Sequence, residues 1–363
     1  MQPSDFARAL GRTVGRPQLS AGAVQTWESG EIHPPAEIVA AACELAAQPV
    51  PATSRPAPGT RRGGELTTAS HTTAPAMDER LAGHRPVDTA VVDLLRAHTN
   101  SFRLVDRQLG ARVVFDQLTC HIAQIEALCR HRRPPRTGRA LAAALAEACT
   151  LAGWQALDLG QTSKAWSYYE LAKSAACEAG EPRVLAHATA EQAYVLIDSG
   201  QHEKAVEQVV SAKAQIRRLP PRLAAWIYCA EAEIRAISAD AIGAQRSLDL
   251  AAVRCPASPA DPELPYLALD EVHLERWCGS TLAQLGHPAA VRQLSGALVQ
   301  MDHTFTRAAA GLHSDLAVAL ARVGEYDEAR HHIYRAQKLA DMVGSERQRR
   351  RTLERAASLV PAR

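Results

Sequence analysis

Aromatic, acidic, basic and imidazole side chains recur through the alanine-rich part of the chain, each several residues before a predicted turn. Aromatic rings offer apolar area for stacking, while Glu and Arg form directed, charge-assisted hydrogen bonds. This mixture is typical of a groove that binds a small molecule or a peptide. The candidate groove residues are Trp154, His187, Tyr194, Trp226, Glu233, His273, Arg276 and Ser314. The alternative is that several of them only pack between neighbouring helices.

Catalytic and metal-binding patterns are missing from the sequence. It contains no glycine-rich phosphate loop, no nucleophile elbow and no paired-carboxylate signature. His331 and His332 are adjacent, and neighbouring side chains on a helix point about 100° apart, so they are poorly placed to share an ion. We therefore expect no catalytic residues, no metal and no cofactor, and we interpret the chain as a protein that recognises a partner.

Composition favours an all-α fold. Apolar residues make up 47% of the 363 residues, but aromatic residues only 4%. The apolar residues are mostly Ala, Leu and Val, and this composition suits close packing of one helix against another. Stretches with strand character are few and short.

Charge and cysteine usage indicate a cytoplasmic protein. The formal net charge of +2 argues neither for nor against a nucleic-acid partner. The eight cysteines are scattered singly, with no CxxC pair, as expected in a reducing compartment. Neither a signal peptide nor an uninterrupted apolar run of membrane-spanning length is evident, so we expect no membrane association.

Composition divides the chain into four regions. Residues 1–46 form a short helical unit, and residues 47–85 are rich in Pro, Ala, Ser, Thr and Gly, which predicts a flexible linker. Residues 86–139 predict a helical pair leading into residues 140–363, a repeat array. The array ends in a basic segment that we interpret as a solvated capping helix, with Arg347, Arg349, Arg350, Arg351 and Arg355.

An internal repeat is the strongest pattern in the sequence. Five turn markers lie about 40 residues apart: Gly160, Gly200, Ala239, Gly286 and Gly324. Alanines follow each marker, seven residues apart: Ala165 and Ala172, Ala205 and Ala212, Ala244 and Ala251, Ala290 and Ala297, Ala329 and Ala336. Another small residue precedes each marker by seven: Gly153, Ala193, Ala232, Gly279 and Ala317. The pattern predicts helical hairpins whose two helices approach closely.

Over residues 140–345 this pattern resembles the tetratricopeptide repeat family. The small positions carry the resemblance, together with Tyr169 and Tyr326, which occupy places where that family favours an aromatic residue. The resemblance implies a right-handed α-solenoid of helical hairpins, with a concave surface lined by the first helix of each hairpin. The candidate groove residues would lie on that surface.

Residues 19–30 carry a second resemblance. Ser20 is a good N-cap, Val24 and Trp27 are spaced to face a core, and Gly30 is suited to end a helix. This segment resembles the recognition helix of Xre-type helix-turn-helix domains. We expect the domain to be truncated, because too few residues precede Phe6 to form its first helix.

The Xre resemblance implies DNA-contacting residues. Two would contact phosphates, Arg16 and Ser20, and four would face base edges in the major groove: Ala21, Gly22, Gln25 and Thr26. However, residues 1–46 hold three basic and five acidic side chains, a poor balance for binding phosphates. A helical remnant used for docking or dimerisation is therefore the alternative.

An Xre-like unit, a linker and a helical repeat array together resemble a group of actinobacterial regulators. The resemblance implies a cytoplasmic transcriptional regulator and homodimer, whose array senses a peptide, small molecule or protein while the N-terminal unit contacts DNA. The alternative function is a protein–protein interaction adaptor with a vestigial helix-turn-helix that no longer binds DNA.

Overall fold

The computed structural model describes residues 87–130, 134–214, 216–257 and 261–358, all within one compact unit. In these ranges the protein is all-helical and contains no strand, which confirms the predicted all-α class for this part of the chain. The helix-turn-helix-like unit of residues 1–46 and the linker of residues 47–85 lie outside the described residues.

Thirteen α-helices follow one another through the described ranges. They are α1 Thr89–Leu109, α2 Ala111–Arg130, α3 Pro135–Asp158, α4 Thr162–Ala179, α5 Pro182–Asp198, α6 His202–Ser211, α7 Pro221–Ile237, α8 Ala241–Arg254, α9 Glu271–Leu285, α10 Ala289–Gln300, α11 Thr306–Arg322, α12 Tyr326–Met342 and α13 Glu346–Ser358. From α3 to α12 they pack side by side in five consecutive pairs, and α1 and α2 form a further pair before them.

The five turn markers all lie between the two helices of a pair and share one backbone conformation. Four are glycines with φ between 72° and 89°, in the left-handed region that glycine adopts without steric cost. The fifth is Ala239, which has a φ of 61° despite its Cβ. The turn therefore imposes this conformation even where the sequence supplies a residue that disfavours it.

The small residues of the repeat lie where the paired helices touch. All ten alanines after the markers are buried. On the first helices, a Cβ added to Gly153 would lie 2.8 Å from the ring of Tyr169, and one added to Gly279 would lie 2.7 Å from Leu294. Larger side chains at these positions would force the helices apart.

Helix α3 is the central element of the core. It packs against α1, α2, α4, α5 and α13. Among the described helices it alone is long and apolar enough to cross a membrane, but 83% of its apolar window is buried inside the protein. Its apolar surface is accounted for by packing, which is compatible with a soluble protein.

The two ends of the helical array meet. Arg307 of α11 forms ion pairs with Asp106 of α1 and with Asp158 at the end of α3, both at 2.8 Å. The Ser345 hydroxyl, just before α13, donates to the same Asp158 carboxylate at 2.5 Å. Next to this junction the backbone of Gly110 lies against the carbonyl of Val343, where no Cβ would fit. The array therefore returns on itself around a partly open space.

Candidate functional site

A cavity of about 270 Å³ lies inside the closed array, and we call it the central cavity. Its wall is built from the first helix of every pair, namely α1, α3, α5, α7, α9 and α11, together with α13 and the segment 265–268. The volume is close to the lower end of the usual range for small-molecule sites, roughly 300–1,000 Å³.

Helical periodicity explains why the first helices supply the wall. On α5 the lining residues are Val184, His187, Glu191 and Tyr194, spaced three or four residues apart. Side chains at that spacing share one face of a helix. The opposite faces of the first helices pack against their partners, so the residues predicted by counting back from the turns point inward.

The structure brings seven of the eight predicted groove residues together around the central cavity: Trp154, His187, Tyr194, Trp226, Glu233, His273 and Arg276. Ser314 is the exception. It is completely buried within α11, while its neighbour Asp315 and the preceding Gly311 reach the cavity. Ser314 lies at the edge of the lining face of α11, so its short side chain is enclosed by the helical packing.

Aromatic rings form one side of the cavity. His187 lies 4.7 Å from Trp226 and 4.7 Å from Tyr266, measured between ring centroids. Trp226 meets Trp277 edge-on at 6.4 Å. These rings offer a large apolar surface in fixed orientations, which suits a planar or apolar ligand.

Six arginines line the cavity, and most have carboxylate partners. Their positions are Arg103, Arg107, Arg276, Arg307, Arg347 and Arg351. Arg307 pairs with Asp106 and Asp158 as described, and Arg103 lies 3.7 Å from Glu147.

The arginines of α13 that line the cavity also pair with carboxylates. Arg347 forms a two-point pair with Asp198, and Arg351 lies 3.7 Å from both Glu233 and Asp315. Glu233 also accepts a 2.8 Å hydrogen bond from the Tyr194 hydroxyl. The carboxylates of the wall are therefore largely engaged by protein groups.

Two of the six arginines differ from the rest. Arg107 lies over the ring of Phe305, at 4.4 Å from its guanidinium carbon to the ring centroid, and Arg276 lies over Trp277 at 4.8 Å. Neither has a hydrogen bond or ion pair with another residue in the part of the chain that the structure describes. The Nε atom of Arg276 is buried without a hydrogen-bond partner, and burial lowers the pKa of this residue.

His187 and Glu191 form a neutral pair in the wall. Their side chains are 3.5 Å apart. Burial raises the pKa of Glu191 to about 8 and, assisted by the charge of Arg103, lowers the pKa of His187 to about 3. At neutral pH the carboxyl is therefore protonated and the imidazole uncharged, so this pair adds no charge to the cavity.

No known protein-family model matches the chain, and a search of curated proteins finds no match. The functional interpretation therefore depends on the chemistry of the cavity. Within the described ranges, no three His, Cys, Asp or Glu side chains come together in a group that could hold a metal ion. The wall thus presents organic recognition groups, namely aromatic rings, arginines and carboxylates.

Sequence reasoning missed the contributions from the two ends of the array. The prediction of a solvated basic cap was wrong for Arg347, which is only 5% exposed, and for Arg355, which pairs with Asp315. Arg347, Arg351 and Arg355 are four residues apart and share one helix face. That spacing could have indicated that the face is directed at other helices.

The candidate DNA-contacting residues lie outside the described residues. These are Arg16, Ser20, Ala21, Gly22, Gln25 and Thr26. Their assignment remains a prediction from the sequence.

Proposed function

We propose that the protein is a ligand-responsive transcriptional regulator whose helical array binds a small organic molecule in the central cavity, while the N-terminal unit contacts DNA. One observation carries the sensing half of the proposal: every helical pair of the described residues contributes its first helix to the same partly open, polar and aromatic cavity. A site assembled from residues 103 to 351 is sensitive to the relative placement of all the helices.

We further propose that the array is a tetratricopeptide-like solenoid that closes on itself. The close helical pairs, the left-handed turn residues and the buried small residues support this interpretation. The ion pairs of Arg307 with Asp106 and Asp158 support the closure. In such a fold the inner surface is the natural binding surface.

Cavity size favours a small molecule over a peptide or a protein partner. Its volume of about 270 Å³ is near the lower end of the range for small-molecule sites, whereas an α-helical segment with its side chains is about 10–12 Å in diameter. Contacts between α11 and α1 and between α13 and α3 hold the ends of the array together. The buried ion pairs at that junction oppose opening.

The DNA-binding half of the proposal rests on the Xre-like residues 19–30. Helix α1 lies nearest in sequence to that region among the described helices, and it contributes Arg103, Asp106 and Arg107 to the cavity wall. Ligand binding therefore acts on the first described helix after residues 47–85 in the sequence. A cytoplasmic location and a homodimer are further parts of this proposal.

A DNA-binding experiment tests the regulator function. The full-length protein is titrated onto DNA fragments from its own genomic neighbourhood at about 50 mM and 200 mM salt, beside an unrelated fragment of equal length. We expect a specific shift that weakens steeply with salt, and loss of that shift in the double variant Q25A/T26A. The matched control is Q2A, which lies outside residues 19–30.

The adaptor hypothesis predicts a different result. If the protein shifts none of the fragments at low salt while light scattering shows it to be folded and homogeneous, the N-terminal unit does not bind DNA. The same light-scattering measurement gives the mass in solution, and a monomer would contradict the proposed homodimer.

A further inference from the structure

We propose that the central cavity binds a small aromatic acid, with the anionic group between Arg107 and Arg276 and the ring against the aromatic side of the wall. This inference rests on the proposed sensing function of the same cavity. It adds the chemical class of the ligand, which is an organic anion with a planar ring.

The arginines of the wall outnumber the carboxylates that line it. Six arginines face the cavity, and besides Glu191 its lining carboxylates are Asp106, Glu147, Glu233 and Asp315. Each of these four carboxylates is within 4 Å of another arginine, namely Arg307, Arg103, Arg351 or Arg355. Asp158 and Asp198 bind Arg307 and Arg347 in addition, so of the six arginines only Arg107 and Arg276 lack an ion pair within 4 Å among the described residues.

These two arginines lie near one another in the wall. Arg107 and Arg276 approach the same group of side chains, because Arg107 lies over Phe305 and the Phe305 ring meets His273 at 4.5 Å. His273 and Arg276 are three residues apart on α9, on one helix face. Neither guanidinium has a carboxylate within 4 Å among the described residues, and the charges of Glu233 and Asp315 only partly offset the effect of burial on Arg276. An anion placed between the two arginines would stabilise both.

Helix α9 carries five buried polar atoms without a hydrogen-bond partner among the described residues, on His273, Arg276, Trp277, Ser280 and Thr281. Two of these atoms, the Nε of Arg276 and the indole Nε1 of Trp277, belong to residues that line the cavity. Both are donors only, so an acceptor on the ligand would satisfy them. Buried donors in folded proteins are normally hydrogen-bonded, and these two lie in the wall of the cavity, where a ligand can reach them.

The aromatic side of the wall can hold the ring of the ligand. The Trp277 ring contacts the Trp226 ring, which in turn packs beside His187 and Tyr266. A planar ring of one or two fused cycles fits a cavity of about 270 Å³ and can stack against these rings. The neutral state of His187 and Glu191 leaves that side of the cavity without opposing charge.

Calorimetric titration of the full-length protein at pH 7 with two matched probes tests the inference. The probes are 2-naphthoate and its uncharged isostere 2-naphthamide, with inorganic phosphate as a third, non-aromatic anion. We expect 2-naphthoate to bind at least about tenfold more tightly than 2-naphthamide, and phosphate to bind more weakly than either.

Three variants assign the selectivity to residues. Arg276→Met and Arg107→Met remove a charge at similar volume, and Arg112→Met removes an exposed arginine outside the cavity. We expect either cavity variant to weaken 2-naphthoate about tenfold and to leave 2-naphthamide unchanged, whereas Arg112→Met changes neither. Arg276→Lys should restore part of the preference for the anion. Circular dichroism shows whether each variant is folded. If one of the two cavity variants fails to fold, the other still tests the selectivity.

The outcomes separate this inference from the proposed function. Equal binding of 2-naphthoate and 2-naphthamide, unchanged selectivity in the folded cavity variants, or no binding of 2-naphthoate at millimolar concentration would overturn the aromatic acid. If phosphate bound more tightly than 2-naphthoate, the claim that the ligand carries an aromatic ring would be overturned. The DNA shift described above is independent of these results, so its failure with intact 2-naphthoate binding would overturn the regulator function alone.

Discussion

Arg347 in the last described helix forms a two-point ion pair with Asp198, 149 residues earlier, with N–O distances of 2.9 and 3.1 Å. Its guanidinium also lies over the rings of Trp154 and Tyr194, at 5.6 and 5.3 Å. Asp198 receives a further contact from Arg350 at 2.8 Å. This carboxylate therefore fixes α13 against the end of α5 and completes the wall of the cavity.

Asp198→Ala should destabilise the protein strongly. Arg347 is buried, and removal of its partner leaves an uncompensated cation in the interior, which costs about 3–5 kcal/mol. Urea unfolding followed by circular dichroism measures the loss. The matched control is Asp327→Ala, because the Arg330–Asp327 pair is exposed and should contribute less than about 1 kcal/mol. Similar small effects of both substitutions would contradict the structural role of Asp198.

Ala239→Gly should stabilise the protein. Ala239 holds the left-handed conformation that the other turn markers satisfy with glycine, and an alanine there costs roughly 1–2 kcal/mol. The glycine also loses more backbone entropy on folding, so we expect a net gain of about 0.5–1 kcal/mol in the free energy of unfolding.

Gly200→Ala is the reciprocal test of the same turn. No atom lies within 4 Å of a Cβ added at Gly200, so any loss of stability comes from backbone conformation alone. We expect a loss of about 1 kcal/mol by thermal or urea unfolding. Opposite signs for the two variants are the essential result, and equal signs would show that the turns are not equivalent.

Gly153→Ala should be destabilising although the residue lies inside a helix. Its added Cβ would meet the Tyr169 ring at 2.8 Å, and the overpacking should cost about 1–3 kcal/mol. Gly296 in α10 is the matched control, since the nearest atom to an added Cβ is Glu275 Oε2 at 3.9 Å. Gly296→Ala should instead stabilise by about 0.5–1 kcal/mol, because alanine is the better helix former. Equal unfolding midpoints for the two variants would contradict close packing at Gly153.

Part of the cavity wall was predictable from the sequence. The repeat indicated the turns, and the distance from each turn along a helix of 3.6 residues per turn indicated one face, on which His187, Tyr194 and Trp226 line the cavity. Ser314 was misplaced because it lies at the edge of that face, where a shift of one position separates a lining residue from an enclosed one.

The closure of the array was not predictable from the sequence. Arg307 and Asp106 are 201 residues apart, and no local pattern relates them. Their meeting depends on how all the helical pairs between them stack, and a short-range sequence pattern does not encode that arrangement. For the same reason, α1 and α13 were interpreted as flanking helices although both supply arginines to the cavity.

Glu191→Gln should change how stability depends on pH. The groups that face Glu191 are His187 on its own helix, Tyr169 of α4, whose hydroxyl donates to it at 3.4 Å, and Arg103 of α1. Because burial raises the pKa of Glu191 to about 8, the folded protein holds a proton that the unfolded chain releases near pH 4.5. Its contribution to stability is therefore complete below pH 4.5 and is lost as pH rises towards 8.

Glutamine keeps the shape of the glutamate side chain but does not titrate, so the variant does not lose this stability as pH rises. Between pH 5 and pH 9 the free energy of unfolding of Glu191→Gln should rise relative to that of the natural protein, by an amount on the order of 3–5 kcal/mol. His187, with a pKa of about 3, acts in the opposite direction below pH 6.5 in both proteins and cancels in the comparison. The exposed variant Glu354→Gln should show no such trend. Parallel curves of unfolding free energy against pH for Glu191→Gln and the natural protein would mean that the Glu191 carboxyl is already ionised at neutral pH. The cavity would then carry one more negative charge, which would oppose an anionic ligand.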